Sequence, residues 1–360
     1  MARSLVFFLR ASADEPADVL SGKARAAYLA LGLQGRLTAD DFIALKIHFG
    51  EKGNTGFIRS AWLRGPAEEI QKKTMRAFLT DSNTLYVGER SNSVDHIRLA
   101  WSHGFRPEIV GLPVIIADGL VGRDKGEAEG RAGRVKSAKI AGAILASDAL
   151  LVLTHVTGHV QTGIGAAIKN LGMGCASRAG KLDQHSVVHP RVSPKRCRDC
   201  GLCLEYCPAG AILRAEGRVL IDGKTCLGCG ECMVACKYGA IKVAWDDDTR
   251  RIQEKVAEYA FLVKRHFGAK AGCLNFLLKV TKDCDCMAKD QPRLVEDIGI
   301  LASDDPVAVD QASADLVLQK SGGRDVFRAG YDIDWSVQLS RGQALGLGSR
   351  AYDLVELKSP

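Results

Sequence analysis

Eight of the twelve cysteines in this 360-residue chain lie in the forty residues from Cys197 to Cys236, and they repeat one spacing. Cys197-x2-Cys200-x2-Cys203-x3-Cys207 is answered by Cys226-x2-Cys229-x2-Cys232-x3-Cys236, and each half runs on into Gly-Ala-Ile. Three thiolates two residues apart wrap a loop round one face of a cubane, while the fourth is carried to the other cluster. The spacing therefore predicts two 4Fe-4S clusters with crossed ligands. Cys197, Cys200, Cys203 and Cys236 hold one, and Cys226, Cys229, Cys232 and Cys207 hold the other. Glycines 201, 228 and 230 let the backbone close round the inorganic core. Paired Cys-x2-Cys units also build zinc ribbons. Two evenly spaced triplets with Pro208 after the first fourth cysteine favour clusters, although Lys237 stands where the second proline would be.

The rest of the composition is that of a folded, water-soluble protein. Hydrophobic residues are 46% and charged residues 25%, and no apolar run approaches the roughly 20 residues of a membrane span. Leu5 to Leu9 is too short for a signal core and reads as a first strand in a cytoplasmic protein. The net charge of +7 is spread along the chain and aromatic residues are 6%, which argues against nucleic-acid binding. Across Lys195 to Lys242 eight basic side chains face five acidic ones, a balance that suits an acidic redox partner such as a free ferredoxin or flavodoxin.

Outside the cysteine segment, buried-strand runs (5–9, 42–47, 77–80, 113–117, 149–153) alternate with helical patterns (17–33, 65–75, 139–147), which predicts an α/β architecture. Beyond it, 250–266 reads as a helix, 275–280 as a strand, and 306–320 as a helix capped by Ser303 or Asp304. The expected organisation is a discontinuous α/β domain, residues 1–190 and 249–360, interrupted by an iron-sulfur insert at 191–248.

Two further constellations carry chemistry. The strand at 149–153 is followed by His155, His159, Lys169, Cys175, Lys181 and His185 on a glycine-rich stretch, at the strand end where α/β sheets bind ligands. Asp283-Cys284-Asp285-Cys286 places two thiols on one side of extended backbone, where they would hold a third cluster or another metal, with Cys175, Cys273, His48 or His159 as further ligands. A third stretch, Lys46 to Gly56, lacks the phosphate-loop pattern, yet its glycines and Lys52 would suit an anionic group. Asp81 and Asp118, just past strands, read as caps or turns.

The stretches KIHFGEKGNT (46–55), THVTGHVQTGIGAAIKNLGMGC (154–175), DCDC (283–286) and DIGILASDDPVAVDQAS (297–313) resemble family 362 of the domains of unknown function, in members with an inserted ferredoxin-like α+β segment of the bacterial two-cluster type. The resemblance implies an iron-sulfur protein of anaerobic metabolism with a split domain. The order His159, Lys169, His185 is also similar to that in lactate-racemase-type enzymes, which implies a proton-transferring histidine, a cofactor-anchoring lysine and a nickel-ligating histidine at those places.

The leading expectation is an oxidoreductase: electrons pass through two clusters to a site that reduces a small anionic substrate, with His159 or His185 donating protons, Lys169 holding the anion, and His155 and His48 close by. The rival is a non-catalytic electron carrier or metal-centre assembly protein. A redox-sensing regulator would need a DNA-binding helix pattern that the sequence lacks. The absence of a Gly-x-Gly-x-x-Gly fingerprint argues against direct nicotinamide use.

Overall fold

The computed structural model describes residues 3–359 except 87, 186–189, 208, 216–217, 227–229 and 243–247. Cys229 and the downstream end of the insert therefore lie outside the described residues. Eight strands form one sheet: β1 (Ser4–Arg10), β2 (Ile43–Lys46), β3 (Ala77–Asp81), β4 (Val114–Ile116), β5 (Ala149–His155), β6 (Ala271–Leu277), β7 (Gly299–Ser303) and β8 (Tyr352–Glu356). Their spatial order is β8-β1-β7-β6-β5-β2-β3-β4. All pairings are parallel except those of β7, which runs against both β1 and β6. Strands from both sides of the cysteine segment thus belong to the same sheet.

The central strands are apolar throughout because both faces are covered. In β5, Ala149, Leu151 and Leu153 pack on one side with Leu20, Tyr28, Ala67 and Ile70 of the helices Ala17–Ala30 and Arg64–Gln71. Leu150 and Val152 face the opposite core, built from Val256, Tyr259 and Val263 of the helix Thr249–Phe267 and Val307 and Ala312 of the helix Pro306–Lys320. The chain adds β3 and β4 on one side of β2, then returns to place β5 on its other side. Neighbouring connections leave in opposite directions at that reversal, which opens a crevice at the carboxyl ends of the strands.

Three local expectations need correction. Residues 139–147 are not a helix: Val135–Ala141 is a strand paired with Lys125–Ala132 across Gly133 at φ +55, and only Gly142–Leu145 turns helically. Val135, Ala138 and Ile140 are buried in the core, so tertiary packing overrides the local helical reading. The strand expected at 275–280 lies at Ala271–Leu277. The cap of the helix Pro306–Lys320 is Asp305, whose carboxylate accepts from the Val307 and Ala308 N–H groups at 2.8 and 2.9 Å.

The described part of the cysteine segment repeats its geometry as well as its sequence. Gly201 at φ +80 precedes the helix Leu202–Glu205, and Gly230 at φ +77 precedes the helix Glu231–Ala235; glycine meets the left-handed conformation needed there without strain. A hairpin (Ile212–Ala215 with Arg218–Ile221) and a short pair (Arg191–Val192 with Ile241–Lys242) close the unit round Ile212, Val219, Cys232 and Ile241. It meets the α/β body through Met233, packed on Leu85 and Leu182, and through the Arg123 guanidinium, 4.4 Å from the Tyr206 ring centroid. Among the described residues no helix is long and apolar enough to cross a membrane.

Candidate functional site

A cavity of about 660 Å³ opens at the carboxyl ends of β2, β3 and β5, at the strand-order reversal. It brings together His48, His155, His159, Lys169, His185, Cys284 and Cys286, drawn from sequence positions up to 238 residues apart. Lys46, Asp81, Arg90 and Lys181 also line it. Arg90 had no signal in the sequence, because it sits in the loop between β3 and the helix Ser93–Ser102.

Each cation has a different degree of engagement. Lys46 donates to Asn170 Oδ1 at 2.8 Å and pairs with Asp81 at 2.9 Å. Arg90 bonds Glu51 at 3.1 Å and the Tyr86 hydroxyl. Lys181 Nζ is saturated by the Ser82 carbonyl and hydroxyl and the Asn83 carbonyl at 2.6–3.0 Å. Lys169, on the turn Ala167–Lys169, makes no hydrogen bond or ion pair among the described residues, while burial, then Lys46, Arg90 and Lys181, push its amine down to about 8. A half-buried, unpartnered cation beside three others suits an anion.

The histidines divide by tautomer. His159 Nδ1 faces the Gln161 and Thr162 N–H groups, both at 3.2 Å, and the Thr162 hydroxyl at 2.9 Å, so the neutral ring carries its proton on Nε2. Burial, then Lys169 and His185, hold its pKa well below the ordinary histidine value. His48 behaves alike: Nδ1 accepts from Gly50 N–H at 3.0 Å, Nε2 is buried without a partner, and burial followed by Arg90 keeps the ring neutral. His185 is pushed down to about 3 by burial, then by Lys169, Lys181 and Lys255. Three neutral rings thus line a cationic cavity.

His155 is different, because both of its nitrogens meet oxygen acceptors: Nδ1 the Asp285 carboxylate at 2.9 and 3.0 Å, and Nε2 the Leu278 carbonyl at 2.8 Å. Although burial opposes it, Asp285 raises the ring above its ordinary value. His155 therefore anchors the cysteine loop and has no nitrogen left for a substrate.

That loop is a turn rather than extended backbone, and its two sulfurs are bonded to one another. One ring nitrogen of His159 and both sulfurs lie within 4.8 Å of each other. The glycine-rich stretch at 50–56 packs on this loop. Asn54 Nδ2 donates to the Met287 and Lys289 carbonyls at 3.3 Å, and Thr55 donates to Asp290 at 2.6 Å. Lys52 is exposed and paired with Glu89 at 2.7 Å. Cys175 and Cys273 do not reach the cavity lining: both are fully buried in the core, and burial pushes the Cys175 thiol up to about 12 and Cys273 higher still.

In the insert, Cys197, Cys200, Cys203 and Cys236 line one small hollow. Burial, then the Cys236, Cys197 and Cys200 thiols, raises the Cys203 thiol above its ordinary value, as expected of crowded sulfurs. Backbone N–H groups point at sulfur in matching places in the two halves, Ala211 to Cys207 and Ala240 to Cys236, both at 3.2 Å.

Fold and site define a mixed α/β protein with a large, mainly parallel sheet and a cation-lined cavity at its carboxyl edge. The chain belongs to the family described as domain of unknown function (DUF362), with a match over residues 43–315. Among solved structures it is similar to the lactate racemase apoprotein from Thermoanaerobacterium thermosaccharolyticum, with 10% identity and a TM-score of 0.39 over 76% of this chain and 50% of that one. It is also similar to a Thermotoga maritima protein solved by the Northeast Structural Genomics Consortium, with 8% identity and a TM-score of 0.43 over 88% of this chain and 61% of that one. The chain therefore spans between half and two thirds of the length of these proteins. No curated protein matches its sequence.

Proposed function

We propose that the protein is an iron-sulfur oxidoreductase in which a ferredoxin-like insert at 191–248 supplies electrons to the cavity of the α/β body, where a small anionic substrate is reduced. The observation that carries the reading is the grouping of sulfurs: Cys236, from the second half of the repeat, shares a hollow with Cys197, Cys200 and Cys203 from the first. That grouping supports the crossed ligand set expected of a two-cluster protein, and N–H groups aimed at Cys207 and Cys236 Sγ are the kind of contact that stabilises sulfur-bound charge. Cys207, Cys226, Cys229 and Cys232 would hold the second cluster. A bound 4Fe-4S cluster supplies reversible one-electron transfer.

The insert touches the body beside the cavity. Met233 follows Cys232 and packs on Leu85, which lines the cavity, and on Leu182, between cavity-lining Lys181 and His185. Cys200 is exposed on the segment with the basic excess, which suits electron entry from an acidic redox protein. In the cavity Lys169 would take the anionic group, and the Nε2–H groups of His48 and His159 would donate to charge developing on the substrate. A carrier without turnover would have no need of a cavity of this size or of an unpartnered lysine inside it.

The test is anaerobic purification with iron, acid-labile sulfide and zinc measured per chain. About eight irons with matching sulfide are expected, with loss of roughly half the iron in Cys203→Ser. Zinc at about two per chain without sulfide would overturn the reading.

A further inference from the structure

The cysteine pair in the cavity has chemistry of its own. Cys284 and Cys286 line the same cavity as Lys169 and His159, with their sulfurs bonded and within 4.8 Å of a His159 ring nitrogen. Three clamps hold the loop that carries them: the His155–Asp285 ion pair, Lys289 with Asp283 at 3.2 Å, and Asn54 on the Met287 and Lys289 carbonyls. A metal at this place would need a lone pair from His159, and neither nitrogen offers one. Nδ1 is taken by the N–H groups of Gln161 and Thr162, which leaves the proton on Nε2. The cavity therefore presents a sulfur pair, an N–H donor and a free ammonium, a set suited to thiol exchange rather than to coordination.

We infer that Cys284 and Cys286 are a redox-active disulfide–dithiol pair that reduces a low-molecular-weight anionic disulfide held by Lys169. In the loading half, the Cys284–Cys286 bond breaks as two electrons and two protons are taken up, giving two thiols. Iron-sulfur centres held by the insert would supply these electrons one at a time, so this half rests on the oxidoreductase reading; in vitro a small dithiol replaces them and is itself oxidised to a disulfide. In the unloading half, one cysteine thiolate attacks a substrate sulfur, and the other substrate sulfur leaves as a thiol after taking a proton. The second cysteine then attacks the mixed disulfide, which restores the Cys284–Cys286 bond and frees the second substrate thiol. Two electrons and two protons have moved to the substrate.

Lys282 and Lys289 flank the pair, so trypsin releases residues 283–289 with these two cysteines and no other. The full-length protein is equilibrated in dithiothreitol redox buffers, alkylated with iodoacetamide, and that peptide is weighed. Both cysteines should become alkylated together along a two-electron curve, with each tenfold change in the reduced-to-oxidised ratio spanning about 30 mV. The reduced protein should then react at least tenfold faster with dianionic dithiodiglycolate than with neutral bis(2-hydroxyethyl) disulfide, and Lys169→Met should remove that preference. Alkylation that ignores the buffer, proceeds one cysteine at a time, or is blocked by a stoichiometric metal released in Cys284→Ser overturns the inference, as does a preference for the neutral disulfide. If the peptide titrates while the chain binds no iron, the iron-sulfur reading fails and this inference stands; iron with an inert pair gives the reverse.

Discussion

Replacing Lys169 with methionine should stabilise the fold at neutral pH while abolishing anion binding. In the folded chain this amine is pushed from the ordinary 10.5 to about 8, first by burial and then by Lys46, Arg90 and Lys181. At about 1.4 kcal/mol per tenfold, that displacement means the charged form costs about 3 kcal/mol in the fold at pH 7. The figure is a ceiling, since the side chain is partly open to water through the cavity. Methionine keeps the length and apolar stem of lysine without the charge, so the variant should gain up to that amount. The sign reverses nowhere but the size depends on pH. Between about 8 and 10.5 the unfolded chain still binds a proton that the folded chain has released, so wild-type stability rises with pH. The advantage of Lys169→Met should therefore shrink from about 3 kcal/mol at pH 7 to about 1 kcal/mol at pH 10. Urea unfolding of both proteins at the two pH values measures this, and added sulfate should raise the midpoint of the wild type more than that of the variant. A variant no more stable than wild type at pH 7, or a gap that ignores pH, would refute the account of Lys169 as an unpartnered, partly desolvated cation.

His155→Asn should cost about 3–5 kcal/mol by leaving the buried Asp285 carboxylate unpaired. Because the folded histidine titrates above 6.5, the ion pair contributes fully below that value and is lost as pH rises through the folded value, so the gap in urea midpoint should close in alkali. Cys175→Ser and Cys273→Ser should each destabilise by about 1–3 kcal/mol, the cost of a hydroxyl in an apolar core, with iron content unchanged; loss of iron in either would make it a ligand.

The parts of this architecture that were legible in the sequence are those written in local pattern. β1, β2, β3, β4 and β5 are short apolar runs, and the helix Pro306–Lys320 follows an aspartate and opens on its proline, so each is set by neighbouring residues. The strand Val135–Ala141 was not legible, because its pairing with Lys125–Ala132 and its core contacts are made by other segments. The same division runs through the site. His48, His159, Lys169, His185, Cys284 and Cys286 were visible as reactive residues near strand ends, and parallel strands deliver such ends to one edge of the sheet. What each does there was not visible. His155 resembles His159 in sequence context, yet the carboxylate of Asp285 takes one ring and the amides of Gln161 and Thr162 take the other. Roles were decided by partners 130 residues away in one case and two or three in the other.

Charge accounting in the cavity links these roles. Lys46 and Arg90 are answered by Asp81 and Glu51, and His155 by Asp285, but Lys169 has no acid of its own. The surplus positive potential falls on the nearest titratable rings, so Lys169, after burial, lowers the proton affinity of both His159 and His185. An anion seated on Lys169 would cancel that surplus and raise the proton affinity of His185, while His159, whose Nδ1 lone pair is held by the Gln161 and Thr162 N–H groups, stays a neutral Nε2–H donor. Thiolates released from Cys284 and Cys286 would act on the same potential and in the same direction. The charge of His185 would then follow occupancy: the empty cavity keeps His48, His159 and His185 neutral, and an anion on Lys169 eases protonation of His185.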